Sequence, residues 1–199
     1  MNIHNQMDDF VSFFSGDGEL EASQFTQYGL KPEVKHFKKG EFLISQGKAG
    51  SKLYFFTKGF ARYVSVSSEG KEFTQTFASA PCVAGSARSM AKNMPALFSI
   101  EALSDVECLE FEWLDFFSKM KDQVEFLKAY NRLLGNIFIV KEEREYAFVQ
   151  HSAEQRYLNF LQAYPTLQNL IPVKMIASHI GITPIALSRI RKNLESSGG

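Results

Sequence analysis

Residues 173–190, VKMIASHIGITPIALSRI, place small, apolar and glycine residues at spacings that suit two helices packed across each other. Ala177 stands where the helices would cross closely, and Gly181 where the chain must turn with a positive φ that glycine tolerates. Five apolar residues stand where the helices would be tied together: Ile176, Ile180, Ile182, Leu187 and Ile190. Thr183 can cap the second helix, and Pro184 suits its first turn. The spacing therefore predicts a helix-turn-helix.

The second of these helices would carry polar and basic side chains on its outward face. From there Arg189 can donate two hydrogen bonds to the O6 and N7 atoms of a guanine in the major groove. Arg191, Lys192 and the Thr183 hydroxyl suit phosphate contacts, which position a protein on DNA without reading its sequence. A solvated basic helix end that complements the helix dipole is the alternative. We predict a DNA-binding surface formed by Thr183, Ile185, Ser188, Arg189, Arg191 and Lys192, with Lys174 and Ser178 of the first helix as weaker phosphate contacts.

Short apolar runs separated by glycine turns fill residues 34–111. Within residues 60–66 and 73–77, apolar side chains recur with a period of two, which is typical of β-strands. Aromatic residues make up 14% of the chain, so these strands can bury a substantial core. Short strands with regular glycine turns predict an antiparallel barrel or jelly roll.

A long helix is predicted from residue 122 to residue 148, where there is no proline and only one glycine. Its apolar residues recur at spacings of three and four, which mark one face of a helix about 40 Å long. This stripe is longer than one small barrel can cover, so we predict that it pairs with its own copy in a homodimer. An ordinary core helix is the alternative. The predicted dimer interface consists of Phe126, Tyr130, Leu133, Leu134, Ile137 and Val140.

Three successive sequence patterns thus predict an α+β chain: a β jelly roll over residues 1–118, a dimerisation helix over 119–150 and a helix-turn-helix domain over 151–199. Ser152 and Gln155 have the spacing of a capping box at the start of the third part. The formal net charge is zero, yet residues 171–199 hold four basic residues, Lys174, Arg189, Arg191 and Lys192, and one acidic residue, Glu195. Such a locally basic end can bind a polyanion.

Several function classes are disfavoured by the residues themselves. There is no apolar run long enough for a membrane span and no secretory signal at the start, so we expect a cytoplasmic protein without membrane contact. Cys82 and Cys108 are too few for an iron–sulfur cluster or a zinc ribbon. We predict no metal site, no catalytic residue and no enzyme activity, because the four histidines stand apart in the sequence, at His4, His36, His151 and His179.

The order of jelly roll, long helix and terminal helix-turn-helix resembles the Crp-Fnr superfamily of bacterial transcription regulators. The likeness is sharpest in SAEQRYLNFLQAYP and IPVKMIASHIGITPIALSRIRKNL, which resemble a branch common in Bacteroidetes-type bacteria. FKKGEFLISQGKAGSKLYFFTKGFARY resembles the start of the cyclic-nucleotide-binding fold. The resemblance implies a homodimer that binds a near-palindromic double-stranded DNA operator, under allosteric control by the barrel, with RNA polymerase as a further partner.

The segment VAGSARSMAKNMPALFSIEAL departs from the cyclic-nucleotide binders of that superfamily, which carry Gly-Glu-Leu and then an Arg-Ser or Arg-Thr pair. Here Ser86 follows Gly85, and the Arg and Ser positions fall on Ala96 and Leu97. A buried phosphate would lack its charge partner there, unless Arg88 substituted for it. These five residues are the candidate effector pocket. Cyclic AMP is not expected to bind, no cofactor is identified and the effector is unknown. A small-molecule sensor with secondary or constitutive DNA binding is the alternative function.

Overall fold

The computed structural model describes residues 3–16 and 20–197, so positions 1–2, 17–19 and 198–199 of the predicted domains lie outside it. Three helices and eight strands come first, in the order α1 (Ile3–Ser15), α2 (Ala22–Gln27), β1 (Glu33–Phe37), β2 (Phe42–Ile44), β3 (Lys52–Lys58), β4 (Phe60–Val66), β5 (Glu72–Ser79), β6 (Cys82–Gly85), α3 (Ala87–Lys92), β7 (Ser99–Ala102) and β8 (Val106–Glu112). Five helices follow: α4 (Trp113–Met120), α5 (Val124–Gln150), α6 (Ala153–Ala163), α7 (Val173–Ile180) and α8 (Pro184–Ser197). None of the described helices combines the length and apolarity needed to cross a membrane.

The strands form two four-stranded sheets, ordered β1-β8-β3-β6 and β2-β7-β4-β5, in which all paired strands are antiparallel. The predicted α+β class with a β jelly roll is confirmed. A buried apolar cluster that includes Tyr54, Phe56 and Ile100 contains residues of both sheets. Strand β5 lies at the edge of its sheet and contains a bulge, because Tyr63 pairs with Thr76 while Val64 pairs with Thr74. Gln75 is the extra residue.

A second core lies between the barrel and the helices α1, α2, α4 and the first turns of α5. It is built largely from phenylalanine rings in mutual contact: Phe10, Phe14, Phe25, Phe55, Phe111, Phe116 and Phe126. Phe126 is completely buried there, stacked on Phe14. The prediction that Phe126 belongs to a dimer interface is therefore wrong, because the ring is already enclosed by its own chain.

The remaining residues of the predicted interface divide into two groups. Tyr130 and Leu133 are half-buried against the same phenylalanine core, so the start of α5 lies on its own barrel. Leu134, Ile137 and Val140 remain 41–61% exposed farther along the helix. Two residues outside the predicted interface, Leu127 and Phe138, are also exposed, at 40% and 67%. The long helix predicted over residues 122–148 corresponds to α5 (Val124–Gln150), whereas the first two residues of the predicted 119–150 segment belong to α4, which ends at Met120.

Helices α6, α7 and α8 form a C-terminal bundle with a core of its own. The Ser152 hydroxyl accepts a hydrogen bond from the Gln155 backbone N–H at 3.1 Å, which caps α6 as predicted. Gln155 Nε2 donates to the Asn159 side chain at 3.1 Å, and among the described residues no return hydrogen bond from the Ser152 N–H to Gln155 completes the predicted capping box. Phe77 and Leu103 of the barrel belong to the core of the bundle, so the barrel and the bundle are in direct contact.

Candidate nucleic-acid interface

Helices α7 and α8 are joined by a tight turn at Gly181, which has a φ of +75°. The Gly181 and Ile182 N–H groups donate to the Ser178 and Ala177 carbonyl oxygens and so close the end of α7. A side chain is also sterically excluded at Gly181, because an added Cβ would lie 2.7 Å from Cε1 of Phe148. Only glycine satisfies both the backbone conformation and the contact with the long helix.

The two helices pack through the residues that the sequence spacing indicates. Ile176, Ala177 and Leu187 are fully buried, and Ile180 is 2% exposed. Ile182 and Ile190 are half-buried beside them. This packing leaves the opposite face of α8 in solvent, which is the arrangement that a helix needs in order to enter the major groove.

The exposed face of α8 consists of Ile185, Ser188, Arg189 and Lys192, with Thr183 exposed at its start. Thr183 acts as a cap, since its Oγ1 accepts a hydrogen bond from the Ala186 N–H at 3.2 Å. The Ser188 hydroxyl donates to the Pro184 carbonyl at 3.0 Å. Within the described residues, neither Arg189 nor Lys192 has a side-chain hydrogen bond or ion pair, so both cations are free to meet an external anion. Lys174 is likewise exposed, on α7.

Two residues predicted to contact phosphate are instead engaged within the chain. The Arg191 Nε donates to the Tyr157 hydroxyl at 2.9 Å, and its guanidinium lies 5.4 Å from the centre of that ring. The Ser178 Oγ accepts a hydrogen bond from the Thr74 N–H of β5 at 2.9 Å. The structure thus gives Arg191 and Ser178 packing roles that spacing within residues 173–190 could not reveal, because their partners lie elsewhere in the sequence.

Helix α7 is held against the edge strand β5 by further contacts next to this one. The His179 Nδ1 lies 3.0 Å from the Gln75 carbonyl oxygen, which can accept a hydrogen bond from a protonated Nδ1, and 3.3 Å from Nη1 of Arg144. The hydroxyls of Thr76 and Tyr164 are 3.1 Å apart. Burial, and then the charge of Arg144, lower the pKa of His179 to about 3, which keeps the ring neutral. The sequence predicted only a packing or surface position for His179, because its partners Gln75 and Arg144 lie far from it in the chain.

On the other side of α7, the end of the long helix meets the bundle at three residues, Arg144, Phe148 and Arg156, which we call the Phe148 joint. The two guanidinium groups lie 4.7 and 5.1 Å from the centre of the Phe148 ring. Arg144 donates to the His179 carbonyl at 3.1 Å, and Arg156 donates to the Ile180 carbonyl at 2.9 Å. Two cations therefore bind the last carbonyls of α7, where the helix dipole favours positive charge.

The five residues of the candidate effector pocket differ in burial and in hydrogen bonding. Ser86 is buried and caps α3 by accepting the Ser89 N–H, and the Gly85 N–H donates to the Tyr63 hydroxyl at 3.2 Å. Ala96 is buried, whereas Arg88 and Leu97 face solvent. No charged side chain stands at either of the two positions, Ala96 and Leu97, where the resemblance implies a phosphate clamp. Among residues 3–16 and 20–197, no group of three histidine, cysteine or acidic side chains could hold a metal ion.

Residues 34–123 match the family profile of the cyclic nucleotide-binding domain. This span covers β1 to β8 and α4, the part of the chain that forms the jelly roll. No curated protein sequence matches the chain. The family match thus covers the barrel and does not include the C-terminal bundle.

Solved structures of bacterial proteins share the whole arrangement. FixK2 of Bradyrhizobium japonicum is 16% identical, with a TM-score of 0.71 over 85% of this chain and 87% of that chain. The c-di-GMP-responsive global regulator CLP of Xanthomonas campestris is 10% identical, with a TM-score of 0.69 over 88% and 93%. A transcriptional regulator from Eubacterium rectale, assigned to the Crp/Fnr family, is 19% identical, with a TM-score of 0.68 over 90% and 86%. At 10–19% identity, the similarity to these structures shows that this chain has the same fold.

Proposed function

We propose that this chain is a transcription regulator of the Crp-Fnr type that binds double-stranded DNA as a homodimer, with α8 in the major groove. The observation that carries the proposal is the exposed face of α8, where Arg189 and Lys192 stand free on a helix whose opposite face is buried. The Xanthomonas protein is described as a global regulator of gene expression, and we extend gene regulation to this chain. Its place is then the bacterial cytoplasm, where RNA polymerase is the further partner expected.

The chemistry of the α8 face suits sequence reading. An arginine that projects from a helix in the major groove can bind guanine through two parallel hydrogen bonds. Arg189 has the exposure and the free guanidinium for this contact, and Ile185, which is 67% exposed, can touch a thymine methyl group. Lys192, Thr183 and Lys174 suit phosphate contacts that set the position of the helix without reading bases. Arg191 and Ser178 are left out of this set because they bind Tyr157 and Thr74.

Two copies of α8 are needed, because one short helix reads only a few base pairs. The exposed apolar residues of α5, including Leu134, Ile137 and Phe138, suit a second copy of the same helix. A two-fold dimer would present its recognition helices to half-sites about one helical turn apart, ~34–36 Å. The chain is therefore proposed to bind an inverted repeat. We assign it no catalytic residue.

Salt-dependent binding to duplex DNA of mixed sequence tests the proposal and does not require that an operator be known. The slope of log K against log salt concentration is negative, and each lost phosphate contact should reduce its magnitude by about 0.9. We expect Lys192→Ala to show this reduction and to weaken binding to all sequences alike. Lys48→Ala, which removes an exposed cation from the barrel, is the matched control and should bind as the wild type does. Equal binding by all three proteins, or no binding by any, would contradict the proposal.

We further propose that the barrel does not respond to cyclic AMP, because Ala96 and Leu97 offer no cation to its phosphate. Calorimetric titration of the full chain with cyclic AMP should therefore give no binding heat up to millimolar concentration. Tight binding would show that another cation, such as Arg88, completes the clamp. It would then favour the small-molecule sensor over the role proposed here for the barrel.

A further inference from the structure

We infer that Arg144 of the long helix and the bulge at Gln75 of the barrel position the recognition helix α8, by holding α7 between them. Neither group reaches the exposed face of α8, so both would act on DNA recognition only through α7. The inference rests on the proposed function, and it names the residues that set the angle and spacing of the two recognition helices.

The contact with the barrel is specific because it uses backbone groups of an edge strand. Strand β5 has a neighbouring strand on one side only, and backbone groups on the open side need other partners. The Thr74 N–H and the Gln75 carbonyl find those partners in Ser178 and His179, two consecutive residues of α7. A bulge redirects the strand at this point. A shift of α7 along β5 would break both hydrogen bonds together, so the pair fixes the position of the helix.

The contact with the long helix holds the other side of α7. Arg144 is half-buried, has no carboxylate partner among the described residues, and binds the His179 carbonyl while it stacks on Phe148. Phe148 in turn fills the space beside Gly181, where no side chain would fit. A rotation or translation of α5 therefore moves the last turn of α7 directly.

A displacement of α7 must reach α8, because the two helices share a rigid connection. The turn at Gly181 is closed by two backbone hydrogen bonds, and Ala177 and Leu187 are fully buried between the helices. A close-packed core of this kind moves as one body rather than deforming. The orientation of α8 is thus set by what holds α7.

Besides the hydrogen bonds to Thr74 and Gln75, apolar contacts of Phe77 and Leu103 hold the bundle on the barrel. A groove of about 970 Å³ lies between the second half of α5 and helices α6 and α7, and the three residues of the Phe148 joint line it. Because the two parts do not pack along their whole length, removal of one joint residue should loosen the bundle without unfolding the core. The effect should then appear in the geometry of DNA binding, which a merely stabilising residue would leave unchanged.

The test uses an operator selected from random duplex DNA by the full-length wild type, and copies of it with one base pair inserted or removed between the half-sites. Rigidly held recognition helices cannot follow the shift, so the wild type should lose roughly tenfold or more in affinity for the altered spacings. For Arg144→Gln we expect weaker binding to the selected spacing and a penalty for altered spacing reduced to about threefold or less. Lys121→Gln removes an exposed cation just before α5 and should keep the wild-type penalty.

Ser178→Ala is the second variant, because it loosens the barrel contact without touching the joint. It should reduce the spacing penalty in the same direction, and affinity for a single half-site should stay unchanged in both variants. Thermal unfolding of each variant shows that the chain is folded before binding is measured. If the variants are folded and keep the full spacing penalty, the positioning role is refuted. If the wild type selects no operator at all, it is the proposed function that fails.

Discussion

Arg189 and Arg191 lie two residues apart on α8 and have different environments. Two residues correspond to about 200° around a helix, so the side chains point to nearly opposite sides. Arg189 stands free in solvent, whereas Arg191 lies against Tyr157 of α6. Helical periodicity alone predicted the outward position of Arg189. The partner of Arg191 could not be predicted, because it lies 34 residues away and depends on how α6 packs on α8.

His179 provides a residue-scale prediction about pH. Its pKa of about 3 in the folded chain lies below the ordinary value of 6.5, so the unfolded chain binds a proton that the folded chain does not. Above pH 6.5, His179 should not affect the free energy of unfolding. Between pH 6.5 and about 3, where only the unfolded chain binds the proton, the free energy of unfolding should fall by about 1.4 kcal/mol per pH unit. His179→Gln, which does not titrate, should remove this part of the slope. Urea unfolding of both proteins at several pH values measures it, and identical slopes would contradict a neutral, buried ring.

Helix α5 shows at the scale of an element what an apolar pattern determines and what it leaves open. The spacing predicted one long helix, and the structure has α5 from Val124 to Gln150. The apolar spacing did not show which apolar residues of α5 would face the barrel. Phe126, Tyr130 and Leu133 turn toward the phenylalanine core under α1 and α4, while Leu127, Leu134 and Phe138 share a different side. That division depends on where distant helices pack, and no local spacing contains it.

The two sides of α5 should respond differently to mutation. Phe126→Ala leaves a cavity in the core of each protomer and should lower the free energy of unfolding by about 3–5 kcal/mol. Leu134→Glu places a charge on the exposed apolar side, so the proposed homodimer should dissociate while each chain stays folded. Sedimentation velocity and urea unfolding of both variants separate the two effects.

Ile139→Glu is the matched control for the dimer. Ile139 is 51% exposed, and it lies on the same helix roughly 140° away from Leu134. A charge there should leave the oligomeric state unchanged. A wild type that sediments as a monomer, or a Leu134→Glu variant that remains dimeric, would contradict the assignment of this side of α5 to the partner.

At the scale of the whole molecule, the sequence was sufficient to predict the order of jelly roll, long helix and helix-turn-helix. Each of those parts has a local signature: alternating strands with glycine turns, a long helical stripe, and the spacing around Gly181. The contacts between the parts have none. In the contact between α7 and β5, Ser178 and His179 lie against Thr74 and Gln75, which are more than a hundred residues away in the chain. The joint at Phe148 likewise follows only from the folded chain.

Selection of bound fragments from random duplex DNA, with wild type and Arg189→Ala in parallel, tests the central claim most directly. The wild type should enrich two inverted half-sites with centres about one helical turn apart. Arg189→Ala should lose the preference for one guanine in each half-site, a difference of about 1–3 kcal/mol, and keep the rest of the motif. Enrichment of no motif by the wild type, or the same guanine preference in both proteins, would contradict DNA reading by α8.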